Sequence, residues 1–216
     1  MFDIHTHILP NIDDGSSSLE ESIKMVEDAI DQGVSDLILT PHFDVYGLKC
    51  DINTDYQKEF DNFKDEVIKR NLKINLYLGN EIYYTKGVYK LLRDKKIFPL
   101  GNTKKVLIEF NFNMFDINVE DLVYEFKVEG YQIVIAHVER YNYSNYKLIK
   151  EWKEKGALIQ VNASSFYGER KIKNLVNKLL KDNLIDYIAS DVHSFRKNYI
   201  KQFVNDYKDI SYFDFK

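Results

Sequence analysis

The sequence predicts an α/β protein whose parallel strands alternate with covering helices and close into a distorted seven-stranded β/α barrel. Short apolar runs of strand length alternate with amphipathic helical patterns from end to end. Seven such repeats suit a closed TIM-like barrel, with an open doubly wound sheet as the alternative. No composition shift divides the 216 residues, and three prolines with nine glycines leave no room for a long linker. Residues 1–216 are therefore expected to form a single domain, large enough to bury a core without staples.

Strands are expected over 2–7, 34–40, 74–79, 105–110, 133–137, 157–162 and 184–190. The first helix follows from Leu19, Ile23, Val26 and Ile30, which share one face at three- and four-residue spacing. Ser17 and Ser18, each with a glutamate three residues on, offer a capping box, and Gly33 a stop. Tyr56, Phe60, Phe63 and Val67 mark the second helix. Further helices are expected over 88–94, 119–129, 146–155, 172–181 and 199–207.

Composition narrows the function classes. A net charge of -4 provides no basic footprint for nucleic acid, so a nuclease or proofreading role is disfavoured. The longest apolar runs are strand-sized and far too short to span a bilayer. No basic segment precedes the first motif, so no secretory signal is expected, and one cysteine excludes an internal disulfide. Both fit a cytoplasmic setting. Cys50 has Tyr56 six positions on, so it cannot open the Cys-x5-Arg loop of a thiol phosphatase.

The stretch "MFDIHTHILPNIDDGSS" places His5 and His7 on the same side of a strand, with Asp3 on that face and Asp13 and Asp14 close behind. From this stretch alone a metal site and an ordinary strand both remain open. The other strand ends decide. They carry Thr40-Pro41-His42, Gly79-Asn80-Glu81, Glu109, His137 with Arg140 beyond it, Asn162, and Ser190-Asp191-Val192-His193. Functional residues of β/α barrels gather at these ends, and all five histidines fall on that one rim. Up to five imidazoles with four or five carboxylates exceed the needs of one ion, which implies two or three. Nitrogen and oxygen donors without thiolate favour Mn, Fe, Zn or Mg.

Taken together, His-x-His, Thr-Pro-His, Gly-Asn-Glu, Ile-Glu-Phe, Ala-His-Val-Glu-Arg-Tyr and Ala-Ser-Asp-Val-His resemble the polymerase-and-histidinol-phosphatase (PHP) superfamily. The forms "HILPNIDDGSSSLEES" and "IAHVERY" are similar to its bacterial capsule-locus tyrosine-protein phosphatases, over nearly the whole chain. The resemblance implies a distorted seven-stranded barrel and a trinuclear, manganese-preferring centre. It also implies a substrate, the phosphotyrosine tail of a bacterial tyrosine kinase that regulates capsule or exopolysaccharide export. Carried over by position, His5, His7, Glu81 and Asp191 would hold one ion. Glu81 would bridge to a second with Glu109 and His137, and Asp14, His42 and His193 would hold the third. Arg140 would contact the phosphate, and His42 or Asp14 could deliver a proton through water. The chain is shorter than typical members near its C-terminus. Arg196 is the candidate for the family's basic residue after the last histidine, and Asp13 has no inherited role. A small-molecule enzyme such as a histidinol-phosphate phosphatase is the alternative within the superfamily. Tyr83, Tyr84, Tyr141, Tyr143, Phe166 and Tyr167 follow strand ends and either flank a substrate ring or pack the rim.

Overall fold

Each expected strand forms, and two breaks make nine strands of the seven. They are β1 (Phe2–Thr6), β2 (Asp36–Leu39), β3 (His42–Phe43), β4 (Asn75–Leu78), β5 (Glu81–Tyr83), β6 (Lys105–Glu109), β7 (Gln132–Ile135), β8 (Leu158–Asn162) and β9 (Tyr187–Ala189). The protein is seen here in a computed structural model that describes residues 1–114, 116–194 and 196–215. Every ladder is parallel. Instead of one ring of seven, β1-β2-β4 form a three-stranded sheet, and β3-β5-β6-β7-β8-β9 form a six-stranded sheet curled as a half-barrel. The breaks have a local cause. Pro41 has no N–H to give a ladder, so the strand expected over 34–40 ends at Leu39 and resumes at His42. Gly79-Asn80 separates β4 from β5, where the Asn80 N–H leaves the ladder and donates to Phe98 O at 3.2 Å. Hydrogen bonds still cross the breaks, from Gly79 N–H to Leu39 O (2.9 Å) and Glu81 N–H to Pro41 O (3.2 Å). Beyond β9, a parallel bridge joins Thr6 to Val192, with His7 N–H donating to Val192 O at 3.0 Å.

The helices are α1 (Leu19–Asp31), α2 (Tyr56–Lys69), α3 (Tyr89–Arg93), α4 (Val119–Val128), α5 (Tyr146–Glu154), α6 (Arg170–Lys181) and α7 (Ile200–Tyr207). The start of α1 is the anticipated capping box. Ser18 Oγ accepts from Glu21 N–H, and the Glu21 carboxylate takes the Ser17 N–H at 2.6 Å. Its Ile23, Val26 and Ala29 enter the larger core, where each fully buried branched side chain contributes about 1.5–3 kcal/mol.

A second apolar cluster contains Ile4, Ile38, Leu107, Val134, Ala189 and Phe215, with Leu158 packed on it. Strand alternation then matters for function. Two residues beyond Leu107, Leu158 and Ala189 stand Glu109, Gln160 and Asp191, so the same face that is apolar at its base is polar above. β1 reaches this layer through a bulge: the two residues between Asp3 and Thr6 face one, Ile38, between Leu37 and Leu39. Bulges beside sites re-aim side chains. Here Ile4 joins the apolar cluster, while Asp3, expected on the histidine face, accepts the Ser190 N–H at 3.0 Å.

Candidate metal centre

Glu81 opens β5 just after the break and is completely buried. Its Oε2 lies 3.3 Å from both His5 Nε2 and His7 Nε2 and 2.9 Å from His42 Nδ1. Its Oε1 lies 2.8 Å from His137 Nε2, which is 3.7 Å from Glu109 Oε1. Asp191 Oδ1 stands 3.6 Å from each of His5 and His7, whose Nε2 atoms are 3.2 Å apart. At the mouth, Asp14 Oδ1 is 3.3 Å from Nε2 of both His42 and His193. The structure thus brings together every carboxylate and imidazole that the sequence singled out as a ligand, and the donors close enough to share an ion include His5, His7 and Glu81. His7 also stands among the Asp14, His42 and His193 donors, and Glu109 among His42 and Glu81.

Two ligand candidates sit on left-handed backbone, His137 at φ 30° and Asp191 at φ 50°. Such geometry costs roughly 1–3 kcal/mol per residue and is tolerated where a side chain must be aimed. Gly15 is required by closeness rather than by φ. A Cβ there would lie 2.2 Å from His7 O and 2.5 Å from His7 Cβ. That approach lets the Asp13-Asp14 turn fold over His7.

Several of these atoms are incompatible with a site built only of hydrogen bonds. Among the described residues, Glu81 Oε2, His42 Nδ1 and His137 Nδ1 are buried without a hydrogen-bond partner. Glu81 Oε2 and His42 Nδ1 are close but not aligned as donor and acceptor. An unpaired buried polar atom costs about 1–3 kcal/mol, so Glu81 Oε2 and His42 Nδ1, which face each other, call for another partner. Donors sharing one ion at about 2.1 Å stand roughly 3.0 Å (octahedral) to 3.4 Å (tetrahedral) apart. The 2.9–3.3 Å separations around Glu81 Oε2 fall in or next to that range. The residues fit divalent metal.

The electrostatics agree. Burial opposes charge on Glu81, but His5, His42 and His137 outweigh it and hold the carboxylate ionised, well below the usual range. Burial also disfavours the His42 cation, yet Glu81 raises its pKa to about 9, and Asp13 and Glu81 raise His7 likewise. Burial takes His137 down to about 4. Burial and the Glu81 charge raise Glu109. Five imidazoles and four carboxylates are compressed together here, and bound cations would neutralise the carboxylates in place of imidazole protons.

Residues outside the expected ligand set complete the site. Asp13 accepts from His7 Nδ1 at 2.8 Å and from the His42 N–H at 2.9 Å, fixing which His7 nitrogen points inward. Gln160 Oε1 takes His5 Nδ1 (3.2 Å) and His137 N–H (2.7 Å), its amide donates to Asn162, and Asn162 donates to Asp191 at 2.8 Å. Arg140 and Arg196 both donate to Asp191 Oδ2, at 2.6 and 2.7 Å. Lys49 donates to both oxygens of Glu109, at 2.9 and 2.7 Å. Sequence reading missed Gln160 and Lys49. Gln160 had a signal, a polar residue two before Asn162 on a buried strand; Lys49 lies in a loop with none. Phe112, stacked on His137 at 5.6 Å and under the Arg140 guanidinium at 5.2 Å, is an aromatic at the cluster, and Tyr141 meets His137 edge-on at 5.7 Å. Tyr141 and Phe166, weighed as ring contacts, are buried packing residues.

A family model for capsular polysaccharide synthesis, CpsB/CapC, matches residues 1–204. The chain belongs to the CpsB/CapC family. It is 34% identical over 198 residues to the tyrosine-protein phosphatase YwqE of Bacillus subtilis, covering 90% of this chain and 78% of that protein. It is 33% identical over 206 residues to the tyrosine-protein phosphatase CpsB of Streptococcus agalactiae, covering 90% and 83%. A crystal structure of the metal-dependent tyrosine phosphatases YwqE from B. subtilis and CpsB from Streptococcus pneumoniae superposes with TM-score 0.87 at 31% identity. It covers 99% of this CpsB/CapC chain and 88% of the other. The histidinol phosphate phosphatase of Lactococcus lactis, at TM-score 0.62 and 15% identity, shares the fold.

Proposed function

We propose that this CpsB/CapC-family chain is a metal-dependent protein-tyrosine phosphatase of capsular or exopolysaccharide synthesis. The observation that carries this is Glu81 Oε2, buried, unpartnered and surrounded by histidine nitrogens at metal-ligand spacing. His5, His7, Glu81 and Asp191 would hold one ion, Glu81, Glu109 and His137 a second, and Asp14, His42 and His193 a third. Manganese is the proposed metal: donors of nitrogen and oxygen only admit Mn, Fe, Zn or Mg, and the family resemblance favours manganese among them. When bound, divalent ions supply Lewis acidity and an activated water at neutral pH.

The chain's own residues supply the rest. Arg140 spends one N–H on Asp191 and keeps others of its planar fork for phosphoryl oxygens. Asp191 anchors Arg196 beside it. Asp14, whose side chain is 60% exposed, marks the open side where substrate enters. Proton delivery through water is the second role proposed for Asp14 and His42. The demand on it is small, because tyrosine leaves as a phenolate of pKa about 10. An extended kinase tail reaches such a rim without a domain unfolding, and we assign the natural substrate to the phosphotyrosine tail of a cytoplasmic bacterial tyrosine kinase. No helix among the described residues is long and apolar enough to cross a membrane. The two sheets are proposed to be parts of one distorted seven-stranded barrel within a single domain, supported by the Thr6–Val192 bridge.

Side-by-side kcat/KM values for a phosphotyrosine peptide, a phosphoserine peptide and histidinol phosphate test this reading. Phosphotyrosine should be clearly preferred, since the serine alkoxide is a far poorer leaving group and reaches less far. Histidinol phosphate as the best of the three would contradict the protein-phosphatase assignment and leave only a metal-dependent phosphatase.

A further inference from the structure

Two cavities near the strand ends carry opposite charges. One, of about 620 Å³, begins at Tyr83 and Asn111 and is lined by Asp116, Asp121 and Glu125 against the single cation Lys86. The other, of about 440 Å³, contains Arg140, Arg196 and Lys197, with Ser164 and the rings of Tyr167 and Tyr199 among its walls. No carboxylate lines it among the described residues. The nearby acids are otherwise engaged. Asp191 lies between the two arginines, Asp206 accepts the Tyr167 hydroxyl from behind at 2.9 Å, and Glu139 is buried beneath, bonded by Ser165 and the Asn162 N–H. Tyr167 and Tyr199 stack at 5.4 Å, and the exposed Lys197 ammonium sits 4.9 Å over Tyr199.

Arg140 and Arg196 also line the metal cluster, so the basic cavity opens directly from the site. We infer that this cavity is a subsite for the carboxylate of an aspartate or glutamate in the substrate chain, close to the phosphotyrosine. The inference rests on the tyrosine-phosphatase reading and names the sequence context it prefers. Two or three residues of extended chain cover about 7–10 Å from the phosphotyrosine Cα, and the side chain of an acid there turns back toward the cavity that shares Arg140 and Arg196 with the site. There a carboxylate meets Lys197 and the outer faces of two arginines, while its methylene stem lies on the tyrosine rings. The acidic cavity beyond Tyr83 and Asn111 repels the same residue. A substrate with an acid on one side of its phosphotyrosine is therefore held in one direction.

The test uses the metal-loaded protein and neutral phosphotyrosine peptides. Glutamate is placed singly at each position within three residues of the phosphotyrosine, with glutamine at the same position as control. On one side of the phosphotyrosine, glutamate should raise kcat/KM by about threefold to tenfold, mainly through KM, and the gain should shrink as salt screens it. Lys197→Ala should remove most of the gain while leaving kcat on the glutamine peptides unchanged, and Lys197→Glu should reverse the preference. Equal kcat/KM for glutamate and glutamine peptides, both well hydrolysed, would overturn this inference alone. So would a glutamate preference that survives both Lys197 variants. Failure to hydrolyse any of the peptides would overturn the parent reading and this one with it.

Discussion

Glu81 and Arg140 stand within one cluster but act on different partners, and that difference is measurable. Glu81 gives an oxygen to each of two groups of donors, so Glu81→Ala should cost both bound metal and turnover. Arg140 touches Asp191 through one N–H only, so Arg140→Ala should keep the metal content and lower kcat by roughly a hundredfold or more. Metal analysis of the two purified variants separates the roles; equal metal loss in both would mean that Arg140 is misplaced. Protonation adds a second test at this scale. Asp13 and Glu81 raise the His7 pKa and Glu81 raises that of His42 to about 9, whereas metals bind neutral imidazole. Uptake near pH 7 must then displace protons, so affinity should rise as pH rises from 6 to 9, by up to about tenfold per unit for each proton displaced. Competition with a chelator across that range checks the sign, and a flat or falling profile would contradict it.

At the scale of elements, the turn between β1 and α1 is the most constrained piece of backbone at the site. Gly15→Ala would press a Cβ into the His7 backbone, which must shift and carry Asp13 with it. The expected cost is about 1–3 kcal/mol of stability, read as a lower Tm, together with weaker metal binding. A variant with unchanged Tm and metal content would show that the turn has slack. Most elements were legible because their signals are local. The Leu19-Ile23-Val26-Ile30 stripe, its capping serine and Gly33 define α1 without reference to the rest of the fold. The split of β2 from β3 was less legible, since Pro41 signals a break but not that the chain rejoins a ladder one residue later. The bulge in β1 left no signal at all, because it depends on register with β2. That is why Asp3 was expected among the histidines and is instead bonded to Ser190.

For the whole molecule, the site was more legible than the architecture. His5, His42, Glu81, Glu109, His137 and Asp191 lie far apart in sequence, yet each stands where a strand ends or begins, and parallel strands place those ends together. The groups that position them were hidden for the opposite reason. Lys49 reaches Glu109 across sixty positions from a loop without pattern. The lone thiol offers a clean contrast with the cluster. Cys50 is buried and its sulfur accepts the Asp44 N–H at 3.4 Å, a packing role without the arginine a thiol phosphatase needs. The most direct test of the account is therefore hydrolysis of a phosphotyrosine peptide by wild type and Cys50→Ala, before chelation, after chelation, and after manganese is returned. Activity should vanish with the metal and return with manganese, to the same extent in both proteins. Activity that survives complete removal of metal, or that is lost in Cys50→Ala with its metal still bound, would contradict it.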